Sequence, residues 1–415
     1  MRTIESSPVG SRNCSPPRGT DAMRAHTQRL LEELDLNDVA RGDGYLFVRD
    51  GIGFAARDVA THVEPDEALE FLRTIDHEDE SDGRAGPLAF GSLAFLESQS
   101  LPLVVPQLIV RKDGEGNTWV TSIDDRDVSD LLAPTRPRPS ASRFVVSPLT
   151  SVATHRSAVE SARDAVRRGE LTKAVIAREI EVRSDDPIDL HAVLLRLRAS
   201  FGSSYRYSCD GLIGASPELL VSVRDDVVRS HPLAGTTPRT GDPTTDAALA
   251  RSLVESVKDQ IEHRVVIDVV HDTLLPDCSY LDWEPEPSIV PVANVQHLGT
   301  LIEGRLSEPR PDALTLARRL CPTPALGGHP RSEALRLIAE VEGFERGRYG
   351  GAIGWVDASG DGVWAVTIRC AEFSDDRRRA RLVAGGGIVA DSDPDAELAE
   401  TQAKFQAMLS AIVRP

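Results

Sequence analysis

The segment Gly211-Leu-Ile-Gly-Ala-Ser-Pro-Glu-Leu-Leu-Val-Ser-Val-Arg-Asp-Asp-Val-Val-Arg-Ser-His231 contains three short apolar runs in close succession. The runs are residues 211–215, 219–223 and 227–231, and each is separated from the next by three residues. Parallel strands need a crossover of about a dozen residues or more, whereas connections this short join neighbouring antiparallel strands. The segment therefore favours hairpins and antiparallel pairing.

The sequence around this segment mixes strand and helix patterns. Strand-like runs occur at residues 44–49 and 103–111, and a glycine-rich run lies at 86–95. Apolar residues at helical spacing appear elsewhere, but without the regular alternation of strand and helix that a parallel sheet requires. The pattern predicts an α+β fold.

Composition divides the chain into regions. Residues 1–22 are polar and contain Pro, Ser and Gly, which predicts a flexible N-terminal tail. Residues 23–132 are rich in strand-like runs, and residues 133–142 contain three prolines, which is typical of an exposed connection. Residues 144–415 are denser in recognisable elements and are predicted to form the main domain.

The charge balance excludes one class of function and constrains another. The 47 basic and 65 acidic residues give a net charge of −18. Non-specific nucleic-acid binding needs a basic surface, so that class is disfavoured. An anionic substrate would be repelled by the overall field, and its site would need a metal ion, arginines or backbone N–H groups.

Sequence features that would indicate another compartment or a structural metal are missing. No apolar run approaches the ~20 residues that span a bilayer, and the N-terminus lacks the apolar core of a secretory signal. The five cysteines never form a C-x-x-C pair, so neither a zinc site nor a disulfide framework is indicated. The sequence predicts a cytoplasmic protein.

Lys173 stands at the start of a predicted strand. A helix pattern precedes it, with Val159, Ala162 and Val166 at helical spacing and Gly169 as its stop. A solvated lysine at a strand end is the ordinary interpretation. The functional alternative is a lysine held against an apolar wall, where the neutral amine is favoured and can accept a proton.

The turn between the first two apolar runs presents Glu218 directly after Pro217. A glutamate in a turn is usually exposed, and it becomes a candidate general acid only if burial favours its protonated form. Residues 231–239 follow, and the glycine and threonines of this turn offer N–H and hydroxyl donors to an anion.

A long helix is predicted over residues 245–274. Glu255, Lys258 and Glu262 fall on one face at positions i, i+3 and i+7. Lys258 and Glu262 are either a surface ion pair, worth about 0.3–0.5 kcal/mol, or Glu262 is a metal ligand. The predicted apolar stripe of this helix is Val254, Val257, Ile261, Val265 and Val269.

The run Ala384-Gly-Gly-Gly-Ile-Val-Ala-Asp-Ser-Asp-Pro394 leads from a predicted strand into a helix. Asp393 suits the N-cap and Pro394 the first helical position. A glycine-rich loop before a helix suits a carboxylate or a phosphate, so a nucleotide site is an open alternative.

Glu397, Glu400 and Lys404 share one face of this last helix, away from its apolar stripe. Packing therefore does not account for the acidic face, which is either solvated or part of a site. Two carboxylates one turn apart suit a hard cation such as Mg²⁺. The predicted core stripe is Leu398, Phe405, Leu409 and Ile412.

These stretches together resemble the chorismate-utilising enzymes, the family of anthranilate synthase component I, with isochorismate synthase the most similar group. The match covers roughly the last two-thirds of the chain, and many motifs in one order are far more specific than any single motif. The matching runs, in family order, are residues 173–178, 214–218, 231–236, 258–268, 296–299, 322–328, 346–355, 365–370 and 385–404. The resemblance implies antiparallel sheets packed as a central sandwich with helices outside.

The resemblance also implies a site for chorismate, a dicarboxylate bound with Mg²⁺. Carried over residue by residue, Lys173 would be the base that activates water, and Glu218 the acid that protonates the leaving hydroxyl. Glu262 and Glu400 would hold the metal, with Glu397 beside it. The implied substrate-binding residues are Gly235, Thr236, His297, Ala325, Leu326, Tyr349, Arg369, Gly385, Gly386, Gly387 and Lys404.

The subfamily depends on the nucleophile and on one short run. Ammonia-using members lack a basic lysine at the position of Lys173, so water is the expected nucleophile and no glutaminase subunit is expected. Ala325 and Leu326 resemble the isochorismate synthases, with salicylate synthase as the alternative. Cys321 and the Gly-Gly-Gly run depart from the histidine and the Gly-Ala-Gly run that are commoner in this group.

The protein is expected to be a monomer. An inactive or nucleotide-binding protein that kept the fold is the alternative from another functional class. The sequence does not distinguish a role in menaquinone biosynthesis from one in siderophore biosynthesis.

Overall fold

The computed structural model describes residues 23–99, 101–124, 126 and 142–414. The predicted tail over 1–22 and nearly all of the predicted connection over 133–142 lie outside these residues. The described strands are β1 (Arg24–Leu30), β2 (Tyr45–Arg49), β3 (Ile52–Val63), β4 (Asp76–Asp79), β5 (Leu88–Leu93), β6 (Leu103–Lys112), β7 (Thr118–Ile123), β8 (Phe144–Pro148), β9 (Lys173–Ser184), β10 (Tyr205–Cys209), β11 (Leu212–Ser216), β12 (Leu219–Arg224), β13 (Val227–His231), β14 (Leu233–Pro238), β15 (Cys278–Trp283), β16 (Ser288–Pro291), β17 (Val295–Gly299), β18 (Ile302–Leu306), β19 (Gly328–His329), β20 (Ala352–Asp357), β21 (Gly362–Val366), β22 (Cys370–Phe373) and β23 (Arg379–Ile388).

The described helices are α1 (Leu36–Ala40), α2 (Ala68–Arg73), α3 (Val152–Arg167), α4 (Leu190–Ser200), α5 (Pro243–Glu255), α6 (Val257–Leu274), α7 (Ala313–Leu320), α8 (Arg331–Val341) and α9 (Pro394–Val413). Short 3₁₀ turns lie at Glu97–Gln99 and Leu275–Asp277. Within the part of the chain that the structure describes, no helix is long and apolar enough to cross a bilayer.

The strands form one very large sheet and one small one. Among the described residues, β14, β17 and β16 make a separate three-stranded sheet, and the other strands join the large sheet. Only the β1–β4 pair is parallel among the strand pairs of the described ranges. The predicted α+β class with antiparallel sheets is therefore confirmed.

The three apolar runs of residues 211–231 form β11, β12 and β13, but only one of the two short connections is a hairpin. β12 pairs with β13, whereas β11 pairs with β10 and β22. The expectation of a hairpin between the first two runs is wrong, because each of these strands finds partners far along the chain. Pro217 and Glu218 lie where the chain passes from one ladder to the other.

Most central strands are buried on both faces. On β2, Phe47 belongs to one core cluster, while Leu46 and Val48 belong to a second. The first core also contains side chains of α3, α6 and α7, and the second contains side chains of α1, α4 and α9. Helices thus cover the sheet from both sides. The predicted boundaries between an N-terminal part over residues 23–132 and a main domain over residues 144–415 stay predictions.

The predicted helix over 245–274 is broken at Ser256, which ends α5 and caps α6 by accepting a hydrogen bond from the Asp259 N–H. The predicted apolar stripe is largely wrong: Val254, Val257 and Ile261 are 41%, 73% and 58% exposed. The buried face of α6 is instead His263, Val266, Ile267, Val270 and Leu274. In the first turns of α6, Val257 and Ile261 therefore do not contribute to the core.

The entry into α9 follows the prediction. Asp393 caps the helix by accepting hydrogen bonds from the N–H groups of Asp395 and Ala396, and Pro394 is its first residue. The glycine run lies on β23, whose register against β9 places Gly385 opposite Ala177 and Gly387 opposite Val175. Strand β23 and helix α9 therefore bring the glycines, the acidic face and Lys173 to one place.

Candidate active site

A cavity of about 230 Å³ lies where β9, β14, β23, α6 and α9 meet. Of the residues predicted for the site, only Gly386 does not line it. The predicted residues that line the cavity are Lys173, Glu218, Gly235, Thr236, Glu262, His297, Ala325, Leu326, Tyr349, Arg369, Gly385, Gly387, Glu397, Glu400 and Lys404. The structure thus brings together residues that are up to 231 positions apart in the sequence.

Lys173 is buried on the cavity wall, with 2% of its surface exposed. Its Nζ lies 2.8 Å from Glu262 Oε1. Gly387 makes room for this pair, since a Cβ there would stand 2.4 Å from Glu262 Oε1 and 2.8 Å from Lys173 Cε. The solvated lysine that the ordinary interpretation assumes is excluded.

Glu218 is the second buried group, with 3% of its surface exposed. Its Oε1 accepts a hydrogen bond of 3.4 Å from the Leu233 N–H. Burial raises the pKa of Glu218 to about 7, although this hydrogen bond and the charge of Lys173 act in the opposite direction. A carboxylic acid that keeps its proton near neutral pH can serve as a general acid.

The acidic face of α9 closes another side of the cavity. Glu397 is 5% exposed, its Oε1 accepts from Ser392 Oγ at 2.8 Å, and its Oε2 has no hydrogen-bond partner in the described structure. Burial, followed by the charge of Glu400, raises the pKa of Glu397 to about 7. Gly386 stands behind this carboxylate, because a Cβ there would lie 2.7 Å from Glu397 Oε2.

Lys404 lies one helical turn after Glu400 and binds it. Its Nζ is 2.5 Å from Glu400 Oε1 and donates to the Gly385 carbonyl at 2.8 Å. This contact holds the glycine strand against the helix. Lys404 is 16% exposed and lines the cavity.

Arg369 and His297 form a chain of hydrogen bonds in another part of the cavity wall. Arg369 Nη2 donates to His297 Nε2 at 3.0 Å, so Nε2 is the acceptor and the ring proton is on Nδ1. Nδ1 lies 3.2 Å from the Gly235 carbonyl and 3.1 Å from Thr236 Oγ1. Burial, together with the charge of Arg369, holds the pKa of His297 well below its usual range. A neutral His297 therefore orients Arg369.

Comparison with known proteins fits this arrangement. Residues 71–413 match the family model described as chorismate binding enzyme. The chain belongs to this chorismate-binding family. A Mycobacterium tuberculosis protein, named provisionally as the isochorismate synthase MenF, is 41% identical over 339 residues, or 79% of this chain and 86% of that protein. The isochorismate synthase DhbC of Bacillus subtilis is 36% identical over 342 residues, or 80% and 82%.

Solved structures of the chorismate-binding family share the fold. The menaquinone-specific isochorismate synthase MenF from Escherichia coli superposes with a TM-score of 0.82 over 94% of each chain, at 24% identity. The predicted family and its α+β architecture are confirmed.

Two charged cavity residues of this chorismate-binding chain were not assigned to the site from the sequence: Lys258 and Asp259, in the first turn of α6. Lys258 Nζ is 3.9 Å from Glu397 Oε1, and burial raises the pKa of Asp259. The predicted face at i, i+3 and i+7 did include Lys258, but the break at Ser256 that turns this helix end toward the cavity was not visible in the sequence.

Charges around the cavity nearly cancel. The described side chains that line it include five carboxyl groups and four basic groups. The acidic members are Glu218, Asp259, Glu262, Glu397 and Glu400, and the basic members are Lys173, Lys258, Arg369 and Lys404. Side chains alone therefore supply no large positive excess to offset a protein charge of −18. Binding a dicarboxylate here would be helped by an additional cation.

Proposed function

We propose that the protein is an isochorismate synthase, which converts chorismate to isochorismate with Mg²⁺ and water. Water adds at ring carbon 2, the ring double bonds shift, and the hydroxyl at carbon 4 leaves as water. Lys173 takes the proton of the attacking water and Glu218 protonates the leaving hydroxyl. The observation that carries the proposal is the burial of a lysine and a carboxyl group of pKa about 7 on one cavity.

The products formed from chorismate test this function. Incubation of the purified protein with chorismate and Mg²⁺ is expected to yield isochorismate alone, measured by chromatography against standards. Salicylate with pyruvate would replace the proposal by a salicylate synthase. A nitrogen-containing product in the presence of ammonium would indicate an ammonia-dependent enzyme, and no turnover an inactive relative.

The acidic side of the cavity fits a hard cation. Glu397 Oε2 is buried and has no hydrogen-bond partner among the residues that the structure describes, and Glu262 and Glu400 line the same cavity. The carboxylates are not gathered into a ready cluster, since the described residues contain no group of three or more candidate ligands close together. Lys173 and Lys404 bind Glu262 and Glu400 instead. We propose Glu262 and Glu400 as Mg²⁺ ligands with Glu397 beside them; the metal would neutralise a substrate carboxylate.

Substitution of Glu400 tests the metal assignment. Glu400→Gln is expected to raise the Mg²⁺ concentration for half-maximal activity by about tenfold, because one anionic ligand is lost. Calorimetric titration of the substrate-free protein with MgCl₂ should show the same weakening. Glu303→Gln, at an exposed ion pair on β18, is the control. Unchanged Mg²⁺ affinity in Glu400→Gln would remove this residue from the ligand set.

Substrate carboxylates have donors available on the remaining walls. Arg369 is buried, and its Nη1 has no hydrogen-bond partner among the described residues. We propose that Nη1 and Lys404 bind substrate carboxylates, together with the backbone of Gly385–387. Tyr349, Gly235, Thr236, His297, Ala325 and Leu326 would shape the rest of the pocket.

Other aspects of the function rest on the family alone. We propose a cytoplasmic enzyme that acts as a monomer and without a glutaminase subunit, with residues 23–132 completing the core of a catalytic domain over 144–415. The product would serve menaquinone or siderophore biosynthesis. Size-exclusion chromatography with light scattering measures the oligomeric state directly.

A further inference from the structure

Strand β9 has a gap along one edge, close to Lys173. Strand β23 pairs with it along its length on one side. On the other side, β19 pairs only with Lys173 and Ala174, and β8 pairs from Ile180 onward. Backbone groups between these two partners are buried and need other hydrogen bonds, since an unpaired buried peptide group is costly.

Glu342 and Arg346 fill this gap with side chains in place of a strand. The Ala177 N–H donates to Glu342 Oε1 at 2.7 Å, and Arg346 Nη2 donates to the Val175 carbonyl at 2.7 Å. Arg346 also binds Glu342 through Nε at 2.9 Å and through Nη2 at 2.5 Å. The pair therefore fixes the backbone of β9 within a few residues of Lys173.

The same guanidinium also binds the neighbouring loop, which carries the subfamily residues Ala325 and Leu326 and continues into β19. Arg346 Nη1 donates to the Leu326 carbonyl at 2.7 Å. Its guanidinium lies 4.3 Å from the ring centre of Phe95 and 5.9 Å from that of Tyr349. Val175, Leu326 and Tyr349 all line the cavity, so one buried group contacts three parts of its wall.

Stability alone is a poor reason for such a pair. The side chains of Arg346 and Glu342 are 2% and 1% exposed. Removing two charges from water costs about as much as their attraction returns, and apolar replacements of such pairs are often neutral or stabilising. What apolar side chains could not do is hold the Val175 and Leu326 carbonyls at a fixed separation.

We propose that Glu342 and Arg346 are positioning residues that hold the Ala325–Leu326 loop at a fixed distance from the neighbouring Lys173 end of β9, in the wall of the cavity. The inference rests on the proposed isochorismate synthase function, because its readout is the turnover of chorismate. Neither residue contacts the reacting atoms; both act through the backbone of the residues that do.

The test compares Arg346→Met, Arg346→Lys and the double variant Glu342→Gln with Arg346→Met. Arg346→Met is expected to lower kcat at least tenfold while KM for chorismate changes less than threefold, measured well below the melting temperature. Arg346→Lys should recover part of kcat, because an ammonium group can still bind one of the two carbonyls. The double variant removes the unpaired buried carboxylate and keeps the test usable if Arg346→Met does not fold.

Arg310→Met is the matched control. Arg310 also binds a carboxylate, that of Asp361 at 2.8 Å, and backbone carbonyls including that of Ser359 at 2.6 Å. Neither partner lines the cavity. This variant should lose thermal stability and keep its kcat. The inference is overturned if the folded double variant retains wild-type kcat, or if Arg310→Met loses as much. Wild-type protein that makes no isochorismate would instead refute the proposed function.

Discussion

Replacing Lys173 by alanine is expected to lower kcat for isochorismate formation by about 10²–10⁴-fold, the usual contribution of a positioned general base. Lys173 Nζ is buried against Glu262, and the described residues offer no second lysine at the start of β9 to replace it. Turnover of chorismate with saturating Mg²⁺ measures the effect. Added ethylamine should restore part of the rate, because the alanine leaves space for a small amine.

Two measurements separate loss of the base from loss of the fold. The Lys173→Ala substitution removes the ion-pair partner of Glu262. The melting temperature of the variant should therefore fall, while its circular dichroism spectrum stays that of the wild type. The control variant Lys112→Ala, at the end of β6 and outside the cavity, should change neither the melting temperature nor the circular dichroism spectrum. Undiminished activity in Lys173→Ala would exclude this residue as the base.

Replacing Glu218 by glutamine is expected to have the second largest effect, again about 10²–10⁴-fold in kcat. The amide occupies the same volume but cannot donate an acidic proton to the leaving hydroxyl. In the wild type, kcat should fall as the pH rises through about 7, because the acid must be protonated and its pKa is about 7. The residual activity of Glu218→Gln should not show this fall. An alkaline fall unchanged in the variant would assign it to another group.

The pH dependence of stability is an independent test of the raised pKa of Glu218. Burial raises its pKa from the ordinary 4.5 to about 7 in the folded protein. Its contribution to stability is therefore fully present below pH 4.5 and is lost as the pH rises through 7. Between pH 5 and 8, the free energy of unfolding should fall more steeply for the wild type than for Glu218→Gln. Parallel curves would contradict the raised pKa.

Local signals in the sequence were reliable where the structure depends on local chemistry. Asp393 and Pro394 begin α9 as predicted, because an N-cap and a first-turn proline act within a few residues. The break at Ser256 was missed, since the helical pattern continues across it. The stripe of Val254, Val257 and Ile261 failed for a related reason: apolar periodicity does not say which face the rest of the protein covers.

Burial of the site residues depended on partners far along the chain. Glu218 looks like an ordinary turn residue, and it is buried because β11 and β12 pair with β22 and β21, at least 139 residues later. Glu342 and Arg346 have the i, i+4 spacing of a common surface ion pair, yet both are buried. The family motifs found the residues of the cavity, but only the fold gave their exposure and contacts.

The glycine run of β23 has a consequence for the evolvability of this pocket. At Gly385 an added methyl group meets backbone and apolar atoms at 3.1–3.2 Å, whereas at Gly386 and Gly387 it meets carboxylate oxygens at 2.7 and 2.4 Å. A mutation to alanine at either of these two positions is therefore not a neutral change of packing, because it relocates a charge. In directed evolution of the cavity, Gly386 and Gly387 could therefore not be varied independently of the acidic side chains beside them, because a side chain at either position would change the electrostatics of the site.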